Sequence, residues 1–312
     1  MILTITPNPA VDETYSLAQL DVGGTNRVDA PLRRAGGKGL NVARVAYSQG
    51  LPVIALAPIG GGNGEVFARE LVSSGLRHEL IPVMAETRRS FAMVEQDSGR
   101  TTVVNERGGA LNDDEWALIR QSIIELLDSG VTVLAASGSL PEGADPDFYP
   151  WCVRQAAARG IPSIIDTSGA ALLAAARAGA TVLKPNHHEL AEVTGTDSLA
   201  AGAKVLLEAG AQHVYASAGE DGLVHFAAAS PGQWFSAKLP EPLIGNPTGA
   251  GDSVVAAIAT GLHNGEDHDT QILPRAAAWS ASAVLMPTAG ELHPSHPQLQ
   301  VALVIDSSAV NS

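Results

Sequence analysis

Short apolar runs alternate along the chain with longer stretches rich in alanine and leucine. The short runs predict strands at residues 2–5, 53–58, 131–136, 163–166, 181–183 and 214–217. The longer stretches predict helices at residues 40–49, 65–74, 148–159 and 170–178. This alternation predicts an α/β fold in which helices cover both faces of a mostly parallel sheet, with the ligand site at the carboxyl ends of the strands.

Two segments, residues 11–33 and 87–107, interrupt this pattern with alternating apolar and polar positions. The turn Asp97-Ser98-Gly99 joins two such runs and predicts a hairpin. We expect both segments to form a small antiparallel sheet, inserted as a lid into a single domain that spans residues 1–312. A surface hairpin without a function is the alternative. Residues 307–312 are expected to be a frayed end.

The charge balance narrows the classes of partner. Lys and Arg number 19 and Asp and Glu number 33 in 312 residues, which gives a net charge of −14. Such a charge argues against binding to nucleic acid or to an anionic membrane. The single cysteine, Cys152, excludes an intrachain disulfide and fits a reducing compartment. No leader pattern and no long uncharged apolar run is recognisable, so a cytoplasmic protein is expected.

The most informative motif is Gly249-Ala250-Gly251-Asp252, which opens an apolar, helix-like run at residues 253–259. Glycines let an anion approach the main chain, and the first N–H groups of a helix have no partner inside it. A carboxylate at this place can take a proton from an attacking hydroxyl, which is typical of phosphoryl transfer. The alternative is a loop that only caps a helix, with Asp252 as a first-turn acid.

A second glycine-rich turn, Gly36-Gly37-Lys38-Gly39-Leu40-Asn41, also precedes a helical stretch. It places N–H groups, one cation and one amide at a helix start, which suits a polyhydroxylated or phosphorylated ligand. The alternative is a flexible turn with a solvated Lys38. Asp12 follows the first strand, where its carboxylate can accept hydrogen bonds from sugar hydroxyls. Aspartates in loops also cap turns, so that alternative remains open as well.

The segment Lys184-Pro185-Asn186-His187-His188-Glu189 follows the strand at residues 181–183. Asn186 and Glu189 are three residues apart and share a helix face at the carboxyl edge of the sheet. Oxygen ligands of this kind suit Mg²⁺, which is often completed by waters and substrate phosphates. A capping arrangement, in which Glu189 reaches back to Asn186, is the alternative. The two histidines are expected at the surface, because no third ligand stands at zinc spacing.

Together these motifs resemble the ribokinase-like, phosphofructokinase B family of sugar kinases over nearly the whole chain. The glycine turn with Asn41 resembles the family's substrate signature, and Ser137-Gly138-Ser139-Leu140-Pro141 resembles its central motif at a strand end. The segment from Asn186 to Glu189 resembles its magnesium motif, and the segment from Gly249 to Asp252 its catalytic signature. The start of the chain, residues 6–12, is similar to the branch that phosphorylates hexose phosphates.

The resemblance implies a ribokinase-like three-layer fold with a β-sheet lid, and it implies roles for individual residues. Asp252 would act as the general base, while the N–H groups of Ala250 and Gly251, in the loop that Gly249 opens, would stabilise the migrating phosphoryl group. Glu189 and Asn186 would hold Mg²⁺. The residues implied for the ATP site are Lys184, Asn186, Ser217, Gly219, Gly222 and Thr248. The residues implied for the sugar phosphate are Asp12, Gly37, Lys38, Asn41, Arg88, Ser137 and Arg27.

Arg88 matches the arginine with which the hexose-phosphate branch binds the substrate phosphate, and a guanidinium fork suits that group. Arg27 matches a second phosphate-binding residue, which some relatives supply from a partner's lid. The branch often has an asparagine where Ser90 stands and a further basic residue where Ala92 stands. These departures predict rearranged phosphate contacts, with Arg89 as a candidate substitute.

We therefore expect an ATP- and Mg²⁺-dependent kinase that converts a ketohexose monophosphate to a bisphosphate, with fructose 1-phosphate as the first choice. Tagatose 6-phosphate and fructose 6-phosphate are close alternatives. A kinase of an unphosphorylated sugar or a nucleoside, and a sugar-binding regulator without catalysis, are further alternatives. Apolar positions on the lid predict a homodimer formed through it.

Overall fold

The computed structural model describes residues 1–309, which form one sheet of ten strands, a second sheet of four strands, and ten α-helices. The strands are β1 (Ile2–Ile5), β2 (Ala10–Leu17), β3 (Leu32–Gly36), β4 (Val53–Ile59), β5 (His78–Pro82), β6 (Arg88–Glu95), β7 (Thr101–Asn105), β8 (Val133–Ser137), β9 (Ser163–Asp166), β10 (Val182–Leu183), β11 (His213–Ser217), β12 (Leu223–Ala227), β13 (Gln233–Lys238) and β14 (Val304–Ala309).

The helices alternate with the strands along most of the chain. They are α1 (Lys38–Ser48), α2 (Gly61–Ser74), α3 (Asp113–Asp128), α4 (Phe148–Ala157), α5 (Ala170–Arg177), α6 (His187–Thr194), α7 (Leu199–Ala209), α8 (Ala250–Asn264), α9 (Leu273–Val284) and α10 (His296–Ala302). None of these helices combines the length and the apolar character that a membrane crossing requires.

The large sheet has the strand order β14-β13-β12-β11-β10-β9-β8-β1-β4-β5. Seven neighbouring strands of this sheet are parallel, in the order β5-β4-β1-β8-β9-β10-β11. The strand β1 lies between β4 and β8, so Ile2 pairs with both Val53 and Val133. The predicted mostly parallel sheet is therefore confirmed. Parallel strands bring all their carboxyl ends to one edge, which is where ligands bind in α/β folds.

Both faces of the large sheet are buried, because successive side chains of a strand point to opposite faces. In β8, Val133 and Ala135 face α1, α2, α8 and α9, whereas Leu134 and Ala136 face the layer of α3–α7. The central strands therefore read as continuous apolar runs in the sequence. The result is a three-layer α/β architecture.

The helix α2 begins at Gly61, four residues before the predicted start. Three glycines in its first turn made the sequence pattern weak there, since glycine disfavours helix. Contacts from a distant segment compensate: Asn63 N donates to Glu86 Oε1 (2.7 Å), and Gly60 N donates to Thr87 Oγ1 (3.0 Å). The amino end of α2 is therefore capped by tertiary contacts.

Three antiparallel strands extend the sheet beyond β11, and the sequence analysis did not predict them. They are β12, β13 and β14, and β14 pairs with β13 over the register Gln233–Ala309 to Lys238–Val304. The expectation of a frayed end is thus wrong for residues 307–309, whereas residues 310–312 lie outside the described part of the chain. These strands are short and mix apolar with polar positions, so each carries little periodic signal, and pairing between strands together with burial of Leu223, Phe226 and Ala237 orders them.

The small sheet has the order β3-β2-β6-β7 and comes from the two segments that interrupt the α/β pattern. The hairpin of β6 and β7 around the turn at residues 97–99 is present and antiparallel. The pairing of β2 with β6, however, is parallel, from Ala10–Arg88 to Leu17–Glu95. The expectation of a purely antiparallel sheet is wrong at this junction, because the long connection between β2 and β6 lets both strands run the same way.

A core variant on α3 tests the packing of this layer. Ile123 is fully buried, so Ile123→Ala should lower the free energy of unfolding by about 2–5 kcal/mol. Leu118 lies on the same helix with 49% of its surface exposed, and Leu118→Ala should change that energy by less than about 0.5 kcal/mol. Urea denaturation measures both values, and equal losses would contradict the assigned faces of α3.

Candidate active site

A cleft of about 1400 Å³ opens at the carboxyl edge of the large sheet. The strands β8, β9, β10 and β11 end at its floor, and α1, α6 and α8 begin there. The small sheet forms one wall through Asp12, Arg88 and Ser90. Among the predicted site residues, the following line it: Asp12, Gly37, Lys38, Asn41, Arg88, Ser137, Lys184, Asn186, Glu189, Ser217, Gly219, Gly222, Thr248, Gly249, Ala250, Gly251 and Asp252.

The loop that opens α8 requires glycine at Gly249 and brings Gly251 close to Lys184. Gly249 has a φ of 84°, and a Cβ atom there would lie 2.8 Å from Ala289 Cα. A Cβ atom at Gly251 would lie 3.2 Å from the ammonium nitrogen of Lys184. The start of α8, with its positive dipole end, therefore lies next to a lysine and is open to an anion.

The two N–H groups predicted to act on the phosphoryl group differ in the structure. Ala250 N donates to the carbonyl oxygen of Pro247 across the turn (3.2 Å). Gly251 N makes no hydrogen bond within residues 1–309 and is free to meet a ligand. The geometry thus favours Gly251 as the donor and gives Ala250 the role of closing the turn.

Asp252 occupies the first turn of α8 with only 5% of its surface exposed. Asn41 Nδ2 donates to its Oδ2 atom (2.8 Å), so α1 holds the orientation of this carboxylate. Burial raises the pKa of Asp252 to about 6, although the positive charge of Lys38 opposes the shift. A carboxyl group with this pKa is largely ionised at neutral pH and still accepts a proton readily.

Two lysines meet one buried carboxylate beside Asp252. Lys38 Nζ lies 3.5 Å from Asp166 Oδ2, and Lys184 Nζ lies 3.4 Å from Asp166 Oδ1. The carboxylate of Asp166 raises the pKa of Lys38 above its usual value, so this lysine stays charged. Lys38 begins α1 and is ion-paired, although 41% of its side chain is exposed, so the structure favours a held cation over a solvated side chain in a flexible turn.

Asn186 and Glu189 form a capping box at the start of α6. Asn186 Oδ1 accepts from Glu189 N, and Glu189 Oε2 accepts from Asn186 N, each at 2.9 Å. The capping alternative is thus correct for these atoms. The other carboxylate oxygen, Glu189 Oε1, remains in the cleft, 3.9 Å from Lys38 Nζ.

The same corner offers a set of oxygen ligands. Asp166 Oδ2 is buried and lies 3.5 Å from Lys38 Nζ, and Glu189 Oε1 lies 3.9 Å from the same ammonium on the cleft side. Hard carboxylate oxygens beside an open cleft suit Mg²⁺ that keeps several waters. The residues present therefore fit this ion.

Asp12 lies on β2 in the wall of the cleft, and the end of β3 leaves room for it. A Cβ atom on Gly36 would lie 2.0 Å from Asp12 Oδ2, and a Cβ atom on Gly37 would lie 2.6 Å from Thr6 Cγ2. Burial raises the pKa of Asp12 to about 7, against the nearby charge of Arg88. The two glycines therefore let α1 and β2 approach each other around this carboxyl group.

Arg88 and Ser90 face the cleft, whereas Arg89 lies on the opposite face of β6. Arg89 Nη2 contacts Glu106 Oε1 (3.3 Å), and its guanidinium stacks on Phe91 at 5.1 Å from the ring centroid. The period-2 alternation of a strand separates neighbouring side chains in this way. Arg89 therefore does not line the cleft of its own chain, and the expectation that it substitutes there for the contacts missing at Ser90 and Ala92 is wrong.

The guanidinium of Arg88 is partly occupied by main-chain oxygens. Its Nε and Nη2 atoms donate to Asn8 O (3.2 and 3.1 Å), and Nη1 donates to Glu106 O (3.2 Å). These bonds fix the guanidinium at the wall and leave further N–H groups for an anion. Arg27, by contrast, is exposed in the connection between β2 and β3 and does not line the cleft of this chain.

The opposite end of the cleft contains a second group of glycines. Gly222 has a φ of 85°, and a Cβ atom there would lie 2.3 Å from Ala237 O, so the main chain passes close to β13. Ser217 ends β11, and Gly219 lies in a short 3₁₀ turn after it. Thr248 N donates to Asn246 Oδ1 (3.1 Å) at the approach to α8. These four residues, which we call the glycine ledge, line the cleft next to the amino end of α8.

Sequence reasoning missed Asp166 and Asn8 as site residues. Asp166 ends β9 directly beside Ser137, whose buried Oγ atom has no hydrogen-bond partner in the described chain. Asn8 Nδ2 donates to Arg107 O (3.0 Å) and Ser139 Oγ (3.3 Å), and so joins the wall to the floor. A polar residue that ends a predicted apolar strand was the available signal for Asp166.

Comparisons with known proteins agree with this geometry. Residues 6–292 match the pfkB family of carbohydrate kinases. Phosphofructokinase-2 from Escherichia coli in complex with fructose-6-phosphate is 28% identical, with a TM-score of 0.85, over 96% of this chain and 97% of that one. The same protein is known in a tetrameric inhibited form.

Two more distant structures share the fold. A possible 1-phosphofructokinase from Thermotoga maritima is 19% identical over 98% of this chain and 99% of that one, with a TM-score of 0.88. Ribokinase from Arabidopsis thaliana, solved with ribose and ATP, is 18% identical over 96% and 98%, with a TM-score of 0.74.

The chain therefore belongs to the pfkB family of carbohydrate kinases, with a ribokinase-like fold. It is a phosphotransferase, and membership of a kinase family implies the use of ATP.

Proposed function

We propose that this kinase transfers the γ-phosphoryl group of ATP to a ketohexose monophosphate and forms a bisphosphate. One observation carries the proposal: Asp252, with a pKa raised to about 6, stands at the open amino end of α8 in a cleft whose wall presents Arg88. A carboxylate base and an open helix amino end that can bind an anion lie at one point, and an arginine lies in the wall. This combination suits an acceptor that itself carries a phosphate.

In the proposed reaction Asp252 takes the proton of the acceptor hydroxyl. The hydroxyl oxygen then forms a bond to the γ-phosphorus, and the bond from that phosphorus to the bridging oxygen of ADP breaks. Asn41 holds the carboxylate by its hydrogen bond of 2.8 Å, so the base keeps one orientation during the transfer. Phosphoryl transfer requires little more than such positioning and charge stabilisation.

The main chain and two lysines would stabilise the negative charge on the migrating γ-phosphoryl group. The free N–H group of Gly251 and the nearby ammonium of Lys184 would contact the γ-phosphoryl oxygens. Lys38, kept charged by Asp166, lies on the side of α1. These groups are already in place before the substrate binds, so the protein reorganises little when charge develops.

Glu189 and Asn186 are the residues that we propose to hold Mg²⁺, together with Asp166 and bound waters. When bound, this ion neutralises charge on the phosphates of the nucleotide. The capping box fixes Glu189 Oε2 to Asn186 N, so Glu189 Oε1 is the atom available to the hydrated ion.

The nucleotide is proposed to lie along the glycine ledge at the other end of the cleft. Gly222 and Gly219 leave the main chain bare there, and Ser217 and Thr248 offer hydroxyl groups. The sugar phosphate would lie between Asp12 and Ser137, with its phosphate on Arg88. Arg27 would reach the phosphate only from a partner's lid, because it does not line the cleft of its own chain.

Fructose 1-phosphate, phosphorylated at O6, is the first substrate that we propose, while the motif at residues 6–12 supports the hexose-phosphate branch as a whole. Fructose 6-phosphate, phosphorylated at O1, is the second candidate. The similarity to E. coli phosphofructokinase-2 with fructose-6-phosphate favours it. In both substrates the phosphate and the reacting hydroxyl lie at opposite ends of the sugar. This agrees with the proposed roles of Arg88 as the phosphate contact and Asp252 as the base. Tagatose 6-phosphate differs from fructose 6-phosphate in the orientation of one hydroxyl and belongs to the same test.

Asp252→Asn tests the base. The amide keeps the shape of the side chain but cannot take the proton, so kcat should fall by about 10²–10⁴-fold while binding of ATP is retained. In the unaltered protein, kcat/KM should rise with pH through an apparent pKa near 6, as Asp252 loses its proton. Steady-state kinetics and nucleotide titration measure these values. Normal turnover by the Asp252→Asn variant would contradict the assignment of Asp252 as the base.

Arg88 and Arg89 form a matched pair for testing substrate choice. Release of ADP is measured with Mg·ATP and fructose 1-phosphate, fructose 6-phosphate, tagatose 6-phosphate, fructose and ribose. We expect kcat/KM to be highest for a phosphorylated ketohexose. Arg88→Ala should lower that value at least about 100-fold, since a charge-assisted contact to phosphate is lost, with little change for free sugars.

Arg89→Ala is the control on the opposite face of β6 and should retain the preference for the phosphorylated sugar. Equal effects of the two substitutions would point to damage of the small sheet as a whole. Activity restricted to fructose, ribose or a nucleoside would instead favour the kinases of unphosphorylated acceptors. Binding of sugar phosphate without turnover would favour the regulator.

We further propose that the small sheet acts as a lid and as the contact of a homodimer in the cytoplasm. Val104 is 52% exposed on the face of β7 that points away from the cleft, beside Phe91 of β6. The lone buried thiol of Cys152 fits a reducing compartment. An exposed apolar sheet face is typical of a surface that another chain covers.

Light scattering after gel filtration tests this contact. The unaltered protein should elute as a dimer, and Val104→Asp should shift it to the monomer, because a buried carboxylate opposes association. Val301 is 88% exposed on α10, and Val301→Asp serves as the control that leaves the dimer intact. A monomeric unaltered protein, or dissociation by both variants, would contradict a lid dimer.

A further inference from the structure

Three histidines lie together on the face of the large sheet that α8 and α9 cover, away from the cleft. His213 begins β11, His225 lies on β12, and His268 begins a π-helical turn between α8 and α9. One ring nitrogen from each histidine lies within 4.8 Å of those of the other two. The cleft meets β11 at its other end, at Ser217, so none of these histidines takes part in the proposed reaction.

The hydrogen bonds of His225 assign its tautomer. Its Nδ1 atom lies 2.6 Å from Asp269 Oδ1, and a carboxylate beside a ring nitrogen holds a proton on that nitrogen. The lone pair is then on Nε2, which faces Nδ1 of His213 at 3.0 Å. A histidine whose far nitrogen is held by a carboxylate is the arrangement that metal-binding histidines commonly have.

His268 is held in a similar way by Tyr215. The tyrosine hydroxyl lies 2.9 Å from His268 Nδ1 and donates to the carbonyl oxygen of the same residue (3.2 Å). With its proton used on the carbonyl, the hydroxyl accepts from Nδ1–H. The remaining nitrogen, Nε2, then carries a lone pair and has no hydrogen-bond partner among the described residues.

The hydrogen bond between His213 and His225 defines the position of one proton. Because His225 Nε2 is the acceptor, His213 carries its proton on Nδ1 in the metal-free protein. A metal ion held by these two atoms therefore requires His213 to carry that proton on Nε2 instead. One nitrogen from each of the three imidazoles lies within 4.8 Å of the others, a spacing that suits a cation once the proton has moved.

We propose that His213, His225 and His268 bind a divalent transition-metal ion, with Zn²⁺ as the ion to test. Neutral imidazoles without a thiolate suit Zn²⁺, and three of them leave a fourth position for water. In the metal-free protein His213 Nδ1 and His225 Nε2 are joined by a hydrogen bond of 3.0 Å, and Zn–N bonds of about 2.0–2.1 Å would need these atoms to separate to about 3.3–3.4 Å. Asp269 and Tyr215 are the positioning residues of this site.

Binding requires one local movement. The rings of His213 and His268 are stacked with centroids 3.7 Å apart and planes 12° apart, so their lone pairs do not yet converge. His268 is half-buried at the start of the π-helical turn, and a rotation of its ring toward the other two requires its contact with the Tyr215 hydroxyl (2.9 Å) to shift as well. The ion would then join β11 and β12 to the turn that follows α8, and it would stabilise the folded chain.

The test uses the full chain after treatment with a chelator, without nucleotide or Mg²⁺. Calorimetric titration with Zn²⁺ should show one site per chain. Co²⁺ in its place should give the visible absorption of a tetrahedral centre. His268→Gln and His213→Gln should each weaken Zn²⁺ binding at least about 100-fold, because each removes a ligand. Asp269→Asn should weaken it about 10–100-fold, as loss of a positioning carboxylate does.

Two controls separate this site from other histidines. His263 is half-buried like His268 and lies five positions before it, so His263→Gln should leave Zn²⁺ affinity unchanged. The double variant His187→Gln, His188→Gln removes the adjacent pair at the cleft and should also bind normally. Circular dichroism of the metal-free variants confirms that they are folded. The proposal fails if the unaltered chain binds no Zn²⁺, if both ligand variants retain it, or if the double variant loses it.

Discussion

Burial of carboxylates at the carboxyl edge of the large sheet is the constraint on which the cleft depends. Asp166 and Asp252 are both buried, and an isolated buried charge is strongly unfavourable. The chain meets this constraint with Lys38 from α1 and Lys184 from the end of β10, both within 3.5 Å of Asp166. In the proposed reaction the same lysines would supply positive charge for phosphoryl transfer, so the interaction that stabilises the edge would also prepare it for an anionic substrate.

The wall of the cleft depends on a different rule, the alternation of side chains along a strand. Arg88 and Ser90 face the site, while Arg89 and Phe91 face outward, so a single strand separates a candidate phosphate contact from a candidate interface. The parallel pairing of β2 with β6 brings Asp12 and Arg88 to the same wall from distant parts of the chain.

The helix α8 links two chemically different ends of the molecule. Its first turn presents Asp252 and the free N–H group of Gly251 to the cleft, whereas the turn after its last residue carries His268 toward the sheet. Its buried apolar residues pack against α1 and α9 between these ends. The histidine cluster, which is remote from the cleft, therefore packs on the same helical scaffold as the proposed base.

Periodicity and glycine-rich turns in the sequence determined the α/β class, most of the central strands and the motifs around Lys38, Asn186 and Asp252, because these signals are local. Only the tertiary structure decided that Asp166 joins the site, that Arg89 turns away from it, and that residues 304–309 form an edge strand. Each of these depends on pairing or charge between segments far apart in the chain, and the local pattern carries no such information. The histidine cluster shows the same limit, since His213, His225 and His268 meet only when two strands and a turn pack together.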